Sequence, residues 1–496
     1  KNKISLAVDN YLKCLEINSD YSIALQNFGV CLQNFVFSKQ SLIAEKHILN
    51  LLDKDRILRP VDIIQTLISY LYLDKKFRRI IVNIKYNKND LFLDNLIKDV
   101  LNFKILIKIL KVTPITDLKI EKFLKFLRCK ILLNIEFIYN REFALQLIEV
   151  IAAQCFINEY IYPISKEEDK VIISIEKKIN SIKKNGYKRY LLELTCLAAY
   201  KPLYKYSWAN KIANIKEISF LVKQQIEDPR KENEIRKKIS SNKIENSISL
   251  KVKKQYEINP YPRWEKIALS NIQRKPNIFF KNLGVKINNN IINNWNEIDV
   301  LVAGCGTGQH AIATATKYKN SFVTAIDLST KSLSYAKRKA DELNITNIDF
   351  IQIDILDLLK LEKKFHIIES VGVLHHMHDP YVGWKILNDI LHGGGLMMVG
   401  LYSSSARKHI KKFRSKIMKL NIEVNNKNIK YIREKILLSN NADFKLIKTS
   451  EDFYSLSNLR DLLFHEKEHT FTIPEINNLL RKIGLKFCGF ENRNVL

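Results

Sequence analysis

Glycine and proline are scarce in this chain, 14 and 10 of 496 residues, while 46% of the residues are hydrophobic and 10% aromatic. That balance supplies buried cores and excludes a disordered chain. The seven cysteines are odd in number, widely spaced and without a CxxC pair, so they read as reduced, mostly buried thiols and not as a disulfide framework or a metal knuckle. No apolar run approaches the roughly 18 uncharged residues of a membrane helix, and the opening KNKISLAVDN lacks the apolar stretch of a signal peptide. A cytoplasmic protein without membrane partners is expected. A chain that opens on Lys1 also reads as a piece of a longer one.

What is abundant is positive charge. The formal net charge is +29, yet Leu301 to Gly400 holds ten basic and ten acidic residues and is neutral. The local excess lies in Leu401 to Ser450, thirteen basic against three acidic, beginning with Arg407, Lys408, Lys411, Lys412, Arg414 and Lys416. Because lysine is frequent throughout and aromatics are sparse there, this stretch reads first as a solvated helix face. A nucleic-acid site is possible on charge but not favoured.

The length exceeds what one hydrophobic core usually sustains, so several domains are expected. Residues 1–222 carry helical periodicity, as in LQLIEVIAAQCFINEYIY. Within 1–38, Ala7, Tyr11 and Cys14 fall at i, i+4 and i+7, a turn follows at Asn18 to Asp20, and then come Ala24, Leu25, Phe28 and Gly29. This small–aromatic–small rhythm resembles the end of one tetratricopeptide repeat and the start of the next. Residues 223–254 turn polar and charged, a linker or an exposed helix pair. In QYEINPYPRW, Pro260 and Pro262 stop any helix, and Tyr256, Tyr261 and Trp264 offer large contact area. Residues 223–264 thus read as charged linker and connector, and 265–496 as a second domain with a basic helical insertion over about 403–440.

From Glu297 the chain alternates short apolar strands, IDVLVA, SFVTAID, IDFIQID, FHIIESV and GLMMVGLY, with helical stretches. Alternation of this kind predicts a parallel α/β sheet with its ligand site at the carboxyl ends of the strands. Those ends carry the motifs. Ala303 runs into GCGTGQH, where Gly304 and Gly306 allow close backbone approach and a helix start offers free N–H groups. About 20 residues on, Asp327 stands where a carboxylate accepts ribose hydroxyls. A nicotinamide site fits less well: its third glycine belongs at the position of Gln309, and Gly308 comes one residue early.

Together VLVAGCGTGQH, VTAIDLS, IQIDIL, SVGVLHHMHDP and LHGGGLMMVGLY resemble class I S-adenosylmethionine-dependent methyltransferases. The resemblance implies a Rossmann-like sheet of the seven-stranded type and S-adenosylmethionine as cofactor. It implies that Ala303, Gly304, Cys305, Gly306 and Gly308 line the methionine part, that Asp327 and Leu328 hold the ribose, that Asp354 and Ile355 flank the adenine, and that Val371 to Leu374 run along the cofactor. Gly393 to Gly395 would turn the chain into the fifth strand. Upstream, AAQCFINEYIY, LAAYKPLY, DPRKE and QYEINPYPRW resemble bacterial proteins in which tetratricopeptide-like helices precede such a domain.

His375 and His376, just past the fourth strand, are the candidate general bases, with Glu369, Tyr381 and Tyr402 behind them, although an LHH triplet also serves to cap the strand. His375, His376, His378 and Asp379 do not read as a metal cluster, since adjacent histidines point differently and nothing distant completes a four-ligand set. The basic insertion is expected to overhang the strand ends as a cap. TIPEINNLLRKIGLKFCGFE is expected to form a helix and then an edge strand, one strand short of the usual pair. The acceptor is unidentified, a small molecule or a protein, with the helical half recruiting it or a peptide partner. The alternative is a helical adaptor whose methyltransferase fold is a non-catalytic scaffold.

Overall fold

The computed structural model describes residues 2–82, 90–138, 140–182, 186–419 and 422–491. Residues 420 and 421 of the basic segment and 492–496 at the end lie outside these. No helix among the described residues is long and apolar enough to cross a membrane.

The described residues up to 222 are helical, from Asn2–Ile17 and Ser22–Leu32 through Arg141–Ile157 to Ser219–Val222. The second helix buries Ala24, Leu25, Phe28 and Gly29, the positions that the small–aromatic spacing singles out. The polar stretch after residue 222 is the helix-pair alternative and not a loose linker. A single π turn, Lys223–Glu227, leads into helix Asp228–Arg236, and helix Ser247–Ile258 follows. Arg338 fixes the first of these through Glu232 at 2.9 Å.

The sheet has six strands, all parallel: β1 (Ser240–Ser241), β2 (Ile298–Ala303), β3 (Ser321–Asp327), β4 (Ile348–Gln352), β5 (Phe365–Val371) and β6 (Leu391–Gly400), in the order β1-β4-β3-β2-β5-β6. Both faces are covered, so the strands read as near-continuous apolar runs. Val300 and Val302 enter one core with Trp264, Ile312 and Tyr335, and Leu301 and Ala303 enter the other with Leu374, Trp384 and Leu387. Strand order reverses at β2, where β3 lies on one side and β5 on the other. That crevice is where ligands bind in such sheets.

Two expectations are corrected. Gly393 to Gly395 do not precede the last strand but form an irregularity inside β6, where pairing jumps from Phe365↔Leu391 to Ile367↔Leu396 and Gly394 takes φ +77°. The helix expected near the end forms as Ile473–Lys482, but residues 485–490 are not a strand. The sheet's edges are β6 and β1, the latter contributed from upstream of the glycine turn.

The basic insertion forms helices Lys408–Lys419 and Asn426–Leu438, followed by Ala442–Thr449 and Leu456–Phe464. Their apolar faces, including Ile410, Phe413, Ile429, Ile436 and Phe453, join the core of the helical half and not either core of the sheet. Arg433, fully buried, donates to both oxygens of Glu121 at 2.9 and 2.6 Å and to the Phe453 carbonyl at 3.0 Å. A bidentate pair out of water is strong only while both partners remain. Arg433→Met should cost about 3–5 kcal/mol in urea unfolding, and adding Glu121→Leu should return part of that loss because the two sites are coupled.

Candidate functional site

The register brings the motifs to one edge. Ala303 pairs with Ile326, Asp327 with Gln352 and Val302 with Glu369, so Gly304, Asp327, Asp354 and Val371 emerge close together at the strand ends. Gly304, Gly306 and Gly308 all have positive φ, and a Cβ on Gly306 would stand 2.6 Å from the Tyr261 carbonyl. The turn is therefore shaped as much by the connector above it as by any ligand. Thr307 donates its hydroxyl to the Pro262 carbonyl, the Trp264 indole donates to the Thr307 carbonyl at 3.1 Å, and the Tyr335 hydroxyl donates to the Trp264 carbonyl. Ala303 and Cys305 are buried, and burial pushes the Cys305 thiol well above its usual range.

Asp327 is half-buried at the foot of this cleft. Its carboxylate accepts the Gly306 and Ser329 amides, each at 2.9 Å, so it also holds the turn in shape. Burial raises its pKa to about 6 against those two hydrogen bonds. Next to it the half-buried Leu328 gives its carbonyl to the Gln352 amide at 2.8 Å. Asp354 is buried: one oxygen caps the turn at Leu356 (3.1 Å), while the other has no hydrogen-bond partner. A buried acceptor left free costs stability unless a ligand donor completes it, and an adenine amino group has that chemistry. Ile355 packs beneath, and Val371, 46% exposed, and Gly372 leave the strand end open. The residues at the strand ends fit S-adenosylmethionine.

His375 and His376 are packed and not presented. His375 is stacked on Tyr402 with centroids 3.8 Å apart, and His376 is stacked on His465 at 3.5 Å. Burial lowers their pKa values to about 2 and about 4, which holds both rings neutral. Glu369 is equally committed: burial pushes it up, but the His310 hydrogen bond (2.6 Å), the Lys317 charge and the Thr314 hydroxyl prevail and hold it at about 2. Tyr381 sits in the first turn of helix Pro380–Asp389, where its amide meets the Asp379 side chain, and both His378 and Asp379 are exposed.

A group that the sequence reading missed lies beside His376. Among the described residues, ligand atoms of His376, Asp461 and His465 fall within 4.8 Å of one another, all buried. The two imidazole planes are nearly parallel, 21° apart, so their in-plane lone pairs run side by side and do not converge as a metal requires. The same segment packs Asp452, Glu468 and Arg407 near Tyr256, Tyr261 and Tyr402. The signal in the sequence was DLLFHEKEH, a run dense in acids and histidines within a lysine-rich chain. A separate cavity of about 400 Å³ lies between the helical half and the sheet domain, but its lysines 108, 111, 223, 266 and 339 each pair with a carboxylate.

Two measurements follow from this geometry. Gly308→Ala would force a side chain into the left-handed region and against Ala336, whereas Gly372→Ala meets the same backbone strain in open space. The first should cost about 2–4 kcal/mol in denaturant unfolding and the second about 1–2. For the histidines, folded pKa values lie below the unfolded value near 6.5, so stability is present at neutral pH and lost as pH falls through that value. Lowering pH from 7 to 5 should cost about 2 kcal/mol per ring, and His376→Asn should show a shallower loss than the parent.

Residues 300–395 match the family model described as a methyltransferase domain. An uncharacterized protein of Synechococcus is 29% identical over 203 residues, covering 39% of this chain and 49% of that protein. A probable (S)-tetrahydroprotoberberine N-methyltransferase of Papaver bracteatum is 31% identical over 100 residues, 20% of this chain and 28% of its own. The solved structure of PKMT2 from Rickettsia typhi in complex with AdoHcy aligns at 22% identity over 39% of this chain and 40% of that one, with a TM-score of 0.32. The chain spans half or less of the length of these relatives. Over residues 300–395, then, it carries a methyltransferase domain of the class I fold, and the cofactor of that domain is S-adenosylmethionine.

Proposed function

We propose that this chain is an active methyltransferase that moves a methyl group from S-adenosylmethionine to an acceptor entering between the strand ends and the segment 452–469. The observation that carries the reading is the free, buried oxygen of Asp354 in register with Asp327 and the glycine turn. The adenine amino group of a bound cofactor would complete that acceptor.

The cofactor supplies an electrophilic methyl group on a positively charged sulfur. The chain's part is to hold, align and keep dry. Asp327 and Asp354 grip the nucleoside end, and the turn at Gly304 to Gly308 admits the methionine end. His375 and His376, held neutral in their stack, form a rigid wall near the acceptor and leave the proton to other groups. The helical half, tied to the cap by Arg433, is proposed to shape access for the acceptor or a protein partner. The Papaver relative's name supports nitrogen as the acceptor atom.

Calorimetric titration of the full chain with S-adenosylmethionine should give saturable binding, and Asp354→Ala or Asp327→Ala should weaken it on the order of tenfold or more each. Absence of binding to the unmodified chain, or unchanged affinity in both variants, would overturn the proposal.

A further inference from the structure

One acid beside the cofactor cleft has no part in the site as described so far. Glu257 stands in the last turn of helix Ser247–Ile258, where the helix dipole disfavours an acid. Its carboxylate serves the start of a different helix, Thr330–Glu342, which follows β3. One oxygen accepts the Thr330 amide at 2.8 Å, the Thr330 hydroxyl at 2.9 Å and the Lys331 amide at 3.4 Å. The other accepts from Arg236 at 2.5 Å, and Arg236 also donates to the Thr330 hydroxyl oxygen at 2.9 Å. The Ser329 hydroxyl takes the Ser332 amide at 3.1 Å, so the first three N–H groups of this helix all have partners.

Asp327 lies three residues before Thr330 and is tied to the same turn. It accepts the Ser329 amide and, from the glycine turn, the Gly306 amide, each at 2.9 Å. Glu257 thus pins one end of a short segment whose other end is the carboxylate proposed to hold the ribose. The two acids also act on each other by charge. Burial raises the Asp327 pKa to about 6, and the Glu257 charge adds to that rise against the hydrogen bonds from Ser329 and Gly306. The Cys305 thiol in the glycine turn and the Tyr256 hydroxyl, which also face Asp327, are pushed well above their usual ranges by burial and stay neutral. The Lys331 ammonium is turned to the Ile258 carbonyl at 3.3 Å. Glu257 is the acid acting on Asp327, and Arg236 partly offsets it.

Resting on the methyltransferase reading, we infer that Glu257, held by Arg236, is the positioning residue for Asp327, and that the charge of this pair regulates how S-adenosylmethionine binds. Ribose hydroxyls donate to an ionised carboxylate, so affinity is full above the Asp327 pKa and is lost as pH falls through it. Removing the negative charge of Glu257 moves that loss to lower pH. Removing Arg236 leaves Glu257 uncompensated and moves it to higher pH. A pair that only braced the loop would weaken binding at every pH, whichever partner was changed.

The test is calorimetric titration of the full chain with S-adenosylmethionine at pH 8 and pH 5.5, for the parent, Glu257→Gln and Arg236→Gln. Taking each protein's affinity at pH 8 over its own affinity at pH 5.5 removes any uniform loosening, and titration of the ligand itself is common to all three. With shifts of about half a pH unit in opposite directions, the ratio should be about fourfold in the parent, about twofold in Glu257→Gln and about tenfold in Arg236→Gln. If Glu257→Gln does not fold, Arg236→Gln carries the comparison, since that side chain is 43% exposed. Equal ratios in all the proteins, or shifts of both variants in the same direction, would overturn the inference. If the parent does not bind S-adenosylmethionine, the methyltransferase reading fails; if it binds with a ratio that neither variant changes, the Glu257 assignment alone fails.

Discussion

Two hydrogen bonds between the connector and the glycine turn, and a third from Tyr335 to the connector, hold the site in shape. The Thr307 hydroxyl reaches Pro262, the Trp264 indole reaches the Thr307 carbonyl, and Tyr335 closes onto the Trp264 carbonyl. Without that seam the turn would be an ordinary strand-to-helix junction open to water. With it, residues 256–264 become one wall that borders the glycine turn on one side and holds Asp461 through Tyr256 on the other. The seam continues into the helical half, where Lys266 meets Asp55 at 2.7 Å and the Leu269 amide meets the Arg56 carbonyl at 2.9 Å.

Buried charge divides the molecule into parts that hold shape and parts that await something. Glu121 has Arg433, Glu369 has His310 and Lys317, and Glu468 has Arg407 and Arg414. Each is a closed account of donors and acceptors in a low dielectric. Asp354 is incomplete by the same standard: it is buried at the strand ends, and one of its oxygens has no hydrogen-bond partner among the described residues. A ligand donor is one way such a buried acceptor is completed.

The sheet and its cofactor edge were legible because they are local. IDVLVA, SFVTAID and the GCGTGQH turn each declare themselves within a dozen residues, and the parallel register then brings Asp327 and Asp354 together without further information. The cover over the strand ends was not legible, because it is assembled from distant segments: Tyr256 of the connector meets Asp461 and His465, and the His376 ring lies on His465. Nothing in the spacing of those residues encodes their meeting. The histidines misled for a related reason. LHH sits where a base would be useful, but its burial under Tyr402 and His465 is decided by residues 27 and 89 positions further on. The polar stretch after 222 was ambiguous because its one apolar face is thin, and its helix is fixed by Arg338 through ion pairs.

The union of the helical half with residues 408–464 has a consequence for how the chain acquires its shape during synthesis. Glu121 and Arg433 are 312 residues apart, and at ~5–20 residues per second a ribosome needs roughly 15–60 s to deliver the second after the first. Through that interval the helical half carries an unfilled apolar seat for Ile429, Ile436 and Phe453, while the sheet domain between them emerges and closes on its own two cores. The nascent chain is thus exposed to aggregation and to chaperones in its helical half until residues 408–464 emerge, and these act as the keystone that ends that exposure.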